Sequence, residues 1–387
     1  RYGVSVMKCE KRFGKVKALQ WLLVHAWAAK LLAVRRVTRS RGRSTPGIDG
    51  VCWRTSRAKL AAAHRRRRRG YRPQPVRRVF IPKPSGGRRP LGIPTMHDRA
   101  MQALYALALE PVAECTADRH SYGFRPSRST ADALGQCFIV LAKRHAPTWV
   151  LDADITGCFD HLNRPWLLDH VPLDRRVLRG WLEAGVLEGQ VLSHPAAGTP
   201  QGGVISPLLA NLALDGLEAA VRRVVPARGA KVHVVRYADD FIITGRSREL
   251  LEEVVRPAVE GFLAVRGLVL SPAKTRLVSI EQGFDFLGCT LRKRRRTLLI
   301  TPSAPKVRGF ARELRRFIMQ HVRLPTEVLL RQLKLRLRGW GLYYRHVVAS
   351  RSFAWVDEQV RRALLAWARR RHPNKPPAWR RRHYWLP

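Results

Sequence analysis

Two short apolar runs, 232–235 and 241–243, close on Tyr237-Ala238-Asp239-Asp240. Valine and isoleucine on both sides favour strands and the small polar centre favours a tight turn, so the segment predicts a β-hairpin. Its tip then carries two adjacent carboxylates on a half-buried base, an unfavourable pairing unless a cation compensates it. An isolated Asp-Asp turn is more often simply solvated, so the remainder of the chain has to decide between a divalent-metal site and a wet turn.

A second carboxylate strand lies at 149–160. Asp152 and Asp154 are two residues apart and share one face of an apolar strand, where an unpaired buried carboxylate costs several kcal/mol. A metal partner removes that objection. Residues 77–94 read as strand, Gly-Gly turn and strand, which sets Lys83 opposite Arg88 and Arg89. Facing cations could hold a triphosphate, arginine as a fork and lysine as a point charge, although spacing alone favours an ordinary charged surface hairpin.

The charge balance narrows the classes: 73 Lys+Arg against 28 Asp+Glu gives +45, an excess that needs a polyanion to lie against. A structural RNA binder would share this charge. Association with a membrane is not expected, since no run approaches the length of a span. The cysteines (Cys9, Cys52, Cys115, Cys137, Cys158, Cys289) are scattered without a CxxC pair, which argues against a zinc site or a disulfide framework and fits a reducing compartment. No signal peptide is visible.

Other segments supply the frame. Residues 18–34 are apolar around most of a helical circumference and predict one helix packed on several sides. The arginine run Arg65, Arg66, Arg67, Arg68, Arg69 is as apt to contact phosphate as to be a solvated face. Residues 96–113 and 130–142 read as helices, and SYGFRPSRS (121–129) as a loop mixing Tyr122 and Phe124 with Arg125 and Arg128, a composition that stacks bases or plugs a core. Glycines flank Gln201 in GTPQGG (198–203), and a long apolar helix is expected over 204–220. An amphipathic helix is expected over 249–265, two strands about a turn with Lys274 over 267–280, and a boundary at 301–305. The last 80 or so residues are basic and helical by periodicity.

Asp154 and Asp239, each at the end of an apolar strand, could share a pair of divalent ions. Two metals bridged by carboxylates suit in-line displacement at phosphorus, and magnesium accepts an oxygen-only ligand set completed by water and phosphates. Nucleotidyl transfer on a nucleic-acid template accounts for carboxylates, cationic hairpin and net charge together. A nuclease has less need of a triphosphate clamp.

The motifs, in order, are TPGIDG, RRVFIPKPSGGRRPLGIPT, SYGFRPSRS, LDADITGCFDHL, GTPQGGVISPLLANL, RYADDF, LSPAKT, FDFLG, LRGWGLYYRH and WARRRHPNKP. In that order the chain resembles a group II intron-encoded reverse transcriptase/maturase over essentially its whole length. The resemblance implies an α+β right-hand polymerase, fingers and palm, followed by an all-α thumb/maturase domain. Its divisions fall at 1–75 (a basic helical extension of the fingers), 76–300 (fingers and palm) and 301–387 (thumb/maturase). It implies Asp154, Asp239 and Asp240 as catalytic carboxylates holding two Mg2+ with the Ile155 carbonyl, Asp240 the less direct ligand. Lys83, Arg89, Ile155, Cys158 and Gln201 would surround the nucleotide, and Asp152 would not be catalytic.

Nucleic acid would lie on Arg65 to Arg68, Arg125, Arg128, Lys274, Arg338, Tyr343, Tyr344, Arg345, Arg369 and Arg370. Implied partners are group II intron RNA, an RNA template with a DNA primer or DNA target, and dNTPs, in a ribonucleoprotein of the bacterial cytoplasm or an organelle. Cys158 occupies the position where many relatives carry an aromatic that excludes the ribose 2′-hydroxyl, so weakened discrimination against ribonucleotides is expected. Relatives often continue into a DNA-binding segment and an HNH endonuclease; no Cys or His metal cluster follows Trp379. A splicing cofactor with a vestigial polymerase, and a reverse transcriptase of defence or repair, are the competing readings.

Overall fold

Chain connectivity through the carboxylate strands is what the fold must explain. The computed structural model describes residues 13–65, 69–82, 86–194, 197–199, 202–225 and 229–385. Lys83, Gln201, Arg66, Arg67 and Arg68 lie outside the described residues. The chain divides into two compact units, Arg1–Ala133 with Leu151–Leu277, and Leu134–Val150 with Val278–Pro387.

In the first unit, the helix Met96–Thr116 is the buried axis, with nearly every side chain from Met96 to Ala113 inside. Thr95 caps it: its Oγ accepts from the Asp98 amide at 3.1 Å and donates to Asp98 Oδ2 at 2.7 Å. The apolar stretch expected as one helix over 18–34 is instead two, Phe13–His25 and Trp27–Arg39, broken at Ala26, whose ψ of 132° is extended. Nor is that stretch wrapped on several sides: Ala29, Ala33, Val34 and Val37 face inward, whereas Trp21, Leu22, Leu31 and Leu32 are exposed. The small residues let the second helix approach the axis, and the large ones lie on the other face.

The cationic hairpin forms as expected: Val76–Pro82 pairs antiparallel with Arg88–Ile93, Ile81 opposite Arg89. Val186–Glu188 adds to its first strand in parallel. A second four-stranded sheet carries the carboxylates, in the order His233–Tyr237, Asp240–Gly245, Trp149–Ala153, Arg276–Ser279. Periodicity misjudged three neighbouring segments. The helix expected over 204–220 is split into Ser206–Leu214 and Leu217–Val224 by Gly216 at φ 95°, with the Gly216 amide held by Asp118 at 3.0 Å. The one expected over 249–265 opens with a π-helical turn, Leu250–Val255, before Arg256–Ala264. Of two strands expected over 267–280 only Arg276–Ser279 forms, while Leu270 makes a single bridge to Ile155.

In the second unit a three-stranded meander, Phe284–Phe286, Cys289–Arg294 and Thr297–Pro302, is followed along the chain by four helices among the described residues. Ala304–Gln320, Thr326–Tyr344 and Ser350–Arg371 enclose Leu314, Ile318, Leu329, Leu333, Val356 and Trp367; Pro377–Trp385 follows. The FDFLG and LRGWGLYYRH segments meet here. Tyr344 is buried and donates its hydroxyl to the Gly288 carbonyl at 3.2 Å, and Tyr343 donates to Leu287 at 3.0 Å. Tyr344 is thus corrected from a nucleic-acid contact to a core residue; Tyr343 keeps an exposed ring.

No described helix is long and apolar enough to cross a membrane. Cys52, Cys137, Cys158 and Cys289 form no disulfide. Tyr344→Phe should cost about 1 kcal/mol and Tyr344→Ala about 3–5 kcal/mol in equilibrium unfolding, with nucleic-acid affinity unchanged in the folded Phe variant.

Candidate active site

The hairpin turn is tighter than its residues would choose unaided. Tyr237 pairs directly with Asp240, so Ala238 and Asp239 alone make the reversal, and Ala238 sits at φ 59°. Alanine pays for that conformation unless surroundings impose it. The surroundings are the SYGFRPSRS loop. Residues 120–122, where this loop begins, run beside the hairpin's first strand: the Arg236 amide donates to the His120 carbonyl at 2.9 Å and the Tyr122 amide to the Arg236 carbonyl at 2.8 Å. At Gly123 a Cβ would stand 2.3 Å from the Ala238 nitrogen, so only glycine allows the loop to lie this close.

Beneath the turn lies a buried ion cluster. Arg236 donates from Nη1 to the Ala238 carbonyl at 3.2 Å and to Asn211 Oδ1 at 3.1 Å, and from Nη2 to Asp215 at 2.7 Å. Arg125 also binds Asp215, and reaches Glu114 at 2.9 Å. Side-chain exposure is 1% for both arginines and 5% for Asp215. Burial pushes the Asp215 carboxyl up and the Arg236 guanidinium down, whereas Arg125 is raised because Asp215 and Glu114 outweigh its own burial. Arginine keeps its proton in proteins, so the arrangement is a carboxylate between two cations. Arg125 is therefore corrected from a phosphate contact to a structural ion. Arg128 is half-buried against the Ser121 carbonyl and Glu114.

Above this cluster, Asp239 and Asp240 lie beside Asp154. Burial, with the nearby Asp154 charge, raises the Asp239 carboxyl against a backbone hydrogen bond and the pull of Arg89 and Lys274. Asp240 is solvent-accessible at the strand's edge, yet protein crowds it closely enough that desolvation, a hydrogen bond to Asp154 and the charges of Asp239 and Asp154 push it up to about 7. Lys274 Nζ sits 2.7 Å from Asp154 Oδ2, and that bond holds its own pKa above the ordinary value. Asp152 pairs with Arg276 at 3.1 Å instead. Next to Asp154, ladder bonds with 269–271 are made by the Asp154 carbonyl and the Thr156 amide, so pairing with Leu270 does not consume the Ile155 carbonyl.

Cys158 opens a short helix, Cys158–His161, after Gly157. It is buried, and desolvation with Asp239 and Asp154 nearby pushes its thiol up to about 12, so it is neutral and not nucleophilic. Gly198 and Thr199 dock against this corner, with the Thr199 amide on Phe159 at 2.7 Å and the Gly198 amide on Leu162 at 2.9 Å. A Cβ on Gly202 would meet the Gly92 carbonyl at 2.6 Å, so the backbone at Gly202 lies against the cationic hairpin. Arg65, Arg89, Lys274, Arg338, Arg345, Arg369 and Arg370 are exposed.

Among the described residues no three His, Cys, Asp or Glu side chains converge into a ready metal cage. The donor chemistry still fits magnesium. Mutually repelling oxygens with one lysine as counter-charge are what a hard divalent ion compensates, and magnesium takes only one or two carboxylates, with water and phosphate completing its shell. Arg236, Asp215, Asn211 and Gly123 were missed by sequence reasoning; the adjacency of Arg236 to the turn was the one available signal.

Three profiles match the chain: the reverse transcriptase (RNA-dependent DNA polymerase) family over residues 81–291, the N-terminal domain of reverse transcriptase over 5–65, and the group II intron maturase-specific domain over 307–385. Protein YkfC of Escherichia coli is 33% identical over 79% of this chain and 91% of its own length. The group II intron-encoded protein LtrA of Lactococcus lactis is 33% identical over 58% of this chain and 37% of its own length. A telomerase from Candida albicans overlays with a TM-score of 0.44 at 12% identity, over 82% of this chain and 64% of its own.

Asp215→Ala strands two guanidiniums and should cost about 3–5 kcal/mol in chemical unfolding. In chelating buffer, Asp240→Asn should raise the melting temperature relative to wild type. A carboxyl raised in the folded state destabilises it once the unfolded form ionises, so this advantage is nil near the usual carboxylate pKa, grows as pH rises to about 7 and is constant above.

Proposed function

The chain belongs to the reverse transcriptase family, in its group II intron-encoded maturase branch, and from that premise we propose that Asp154, Asp239 and Asp240 form its polymerising centre. It is an RNA-directed DNA polymerase with a maturase function in intron splicing and mobility. The observation that carries the site assignment is the crowding of three carboxylates on adjoining strands, one raised to about 7, around Lys274.

Two Mg2+, when bound, would activate the primer 3′-hydroxyl and stabilise the leaving pyrophosphate. Asp239 and Asp154 would hold them most directly, with the Ile155 carbonyl adding an oxygen and Asp240 lowering the site's potential from its edge. Binding requires Asp154 to exchange its contact with Lys274, leaving that ammonium to meet incoming phosphate. Arg89, exposed on the hairpin and within electrostatic reach of Asp239, would bind the triphosphate with Lys83, and Gln201 would lie beside nucleotide and template. The exposed Arg65, Arg338, Tyr343, Arg345, Arg369 and Arg370, with the half-buried Arg128, would carry group II intron RNA, template and primer, and so would Arg66, Arg67 and Arg68. The working place is the bacterial cytoplasm, as a ribonucleoprotein.

Primer extension on an RNA template with dNTPs and Mg2+ tests this. Asp239→Ala should lower the rate on the order of a thousandfold, Asp240→Asn less, with folding unchanged by circular dichroism. Wild-type protein inactive on every template would overturn the polymerase assignment. Cys158→Phe should raise the dNTP/rNTP selectivity measured by competitive incorporation; an unchanged ratio removes Cys158 from sugar discrimination.

A further inference from the structure

The second unit carries a groove that none of the motifs marks. It lies between the helices Ala304–Gln320 and Ser350–Arg371 and has a volume of about 760 Å³. One wall is Arg308, Arg312 and Arg315, all exposed, which recur at four and three residues along one helical face, so they rise about 6 Å and then about 4.5 Å along the axis. The opposite wall presents Trp355, 41% exposed, and Arg362. Ala311 and Ala363 form the floor, and their small side chains are why two packed helices leave a trough there.

An apolar core explains the inner faces of both helices, since Val307, Leu314 and Ile318 meet Val356, Val360 and Trp367. It does not explain three arginines in a row beside an exposed indole. Arg362 has one local counter-charge: its Nε donates to Glu358 at 2.7 Å, and Glu358 also binds Arg361. Among the described residues, Arg308, Arg312 and Arg315 form no ion pair with a carboxylate.

We propose that this groove binds a single-stranded segment of nucleic acid, with successive phosphates on Arg308, Arg312 and Arg315 and a base stacked on Trp355. Guanidinium forks match phosphate oxygens, and an accessible indole beside them stacks a base whatever its identity. A duplex would keep its bases stacked on one another and leave Trp355 unused. RNA and DNA strands offer the same phosphate and base chemistry, so both are ligands to be compared. The choice of a nucleic-acid ligand rests on the reading of the chain as a nucleic-acid enzyme; the geometry is independent of it.

The test is fluorescence anisotropy of labelled oligouridylate and oligothymidylate on the full chain, across a salt series. R308Q/R312Q/R315Q should weaken binding about tenfold and make the slope of log K against log salt shallower by about two, the loss of three single-strand phosphates. Trp355→Ala should weaken it about tenfold with the slope unchanged, because stacking releases no counterions. Irradiated 5-iodouridine oligomers should crosslink to the Trp355 peptide. A loss in either the RNA or the DNA arm supports the groove and identifies its strand. Equal weakening by the charge-matched R175Q/R176Q/R179Q, on exposed arginines of the other unit, would overturn it, as would polyglutamate competing as well as the oligomers at equal charge. Binding is read without catalysis, so an inactive polymerase would leave the groove intact.

Discussion

The contact of Arg236 with the Ala238 carbonyl is the one on which the carboxylate turn rests. A two-residue turn that carries adjacent carboxylates is repelled by its own charge and strained at Ala238, so left alone it would relax. Arg236 holds it from below and is itself held by Asp215 and Asn211, while Arg125 closes the cluster from the loop side. A buried ion group of this kind adds little net stability, because desolvation offsets most of the attraction. What it supplies here is a single geometry, enforced also by Gly123, which brings the loop against the turn.

The same logic runs through the neighbouring motifs. Gly198 and Thr199 lie against the Phe159–Leu162 corner and Gly202 against Gly92 of the hairpin, so the Cys158 helix and the cationic hairpin both meet this glycine-rich motif through close backbone contacts. Glycines recur in these motifs because backbone must touch backbone there, as at Gly123 and Gly202. A polymerase needs this rigidity, since positioning and electrostatics supply nearly all of its catalysis. The free charge is distributed differently: the first unit spends several arginines on internal ion pairs, while the helices of the second display theirs.

Much of the architecture was legible. The hairpin at Asp239-Asp240, the paired strands around Gly86-Gly87 and the helix over 96–113 follow from period, β-branching and turn chemistry, all local signals. Failures came where a long-range contact overrode a local pattern. Residues 204–220 read as one helix because apolar spacing continues across Asp215-Gly216, yet Asp215 is claimed by two arginines and Gly216 turns left-handed. Residues 18–34 read as wrapped because periodicity counts apolar residues without knowing which face finds a partner. Arg125 and Tyr344 read as ligands for nucleic acid because composition does not distinguish an arginine on the surface from one that neutralises a buried aspartate.

The sequence by itself determined the family and pointed to the carboxylates and to a polyanionic partner, since these rest on residue identity, order and net charge. Tertiary structure alone decided which cations are available. Arg236 and Arg125 are consumed beneath the turn and Arg276 by Asp152, whereas Arg308, Arg312 and Arg315 are left facing a groove. Whether a guanidinium meets a carboxylate or water depends on which distant strand or helix packs beside it, and no local pattern along the chain encodes that distance.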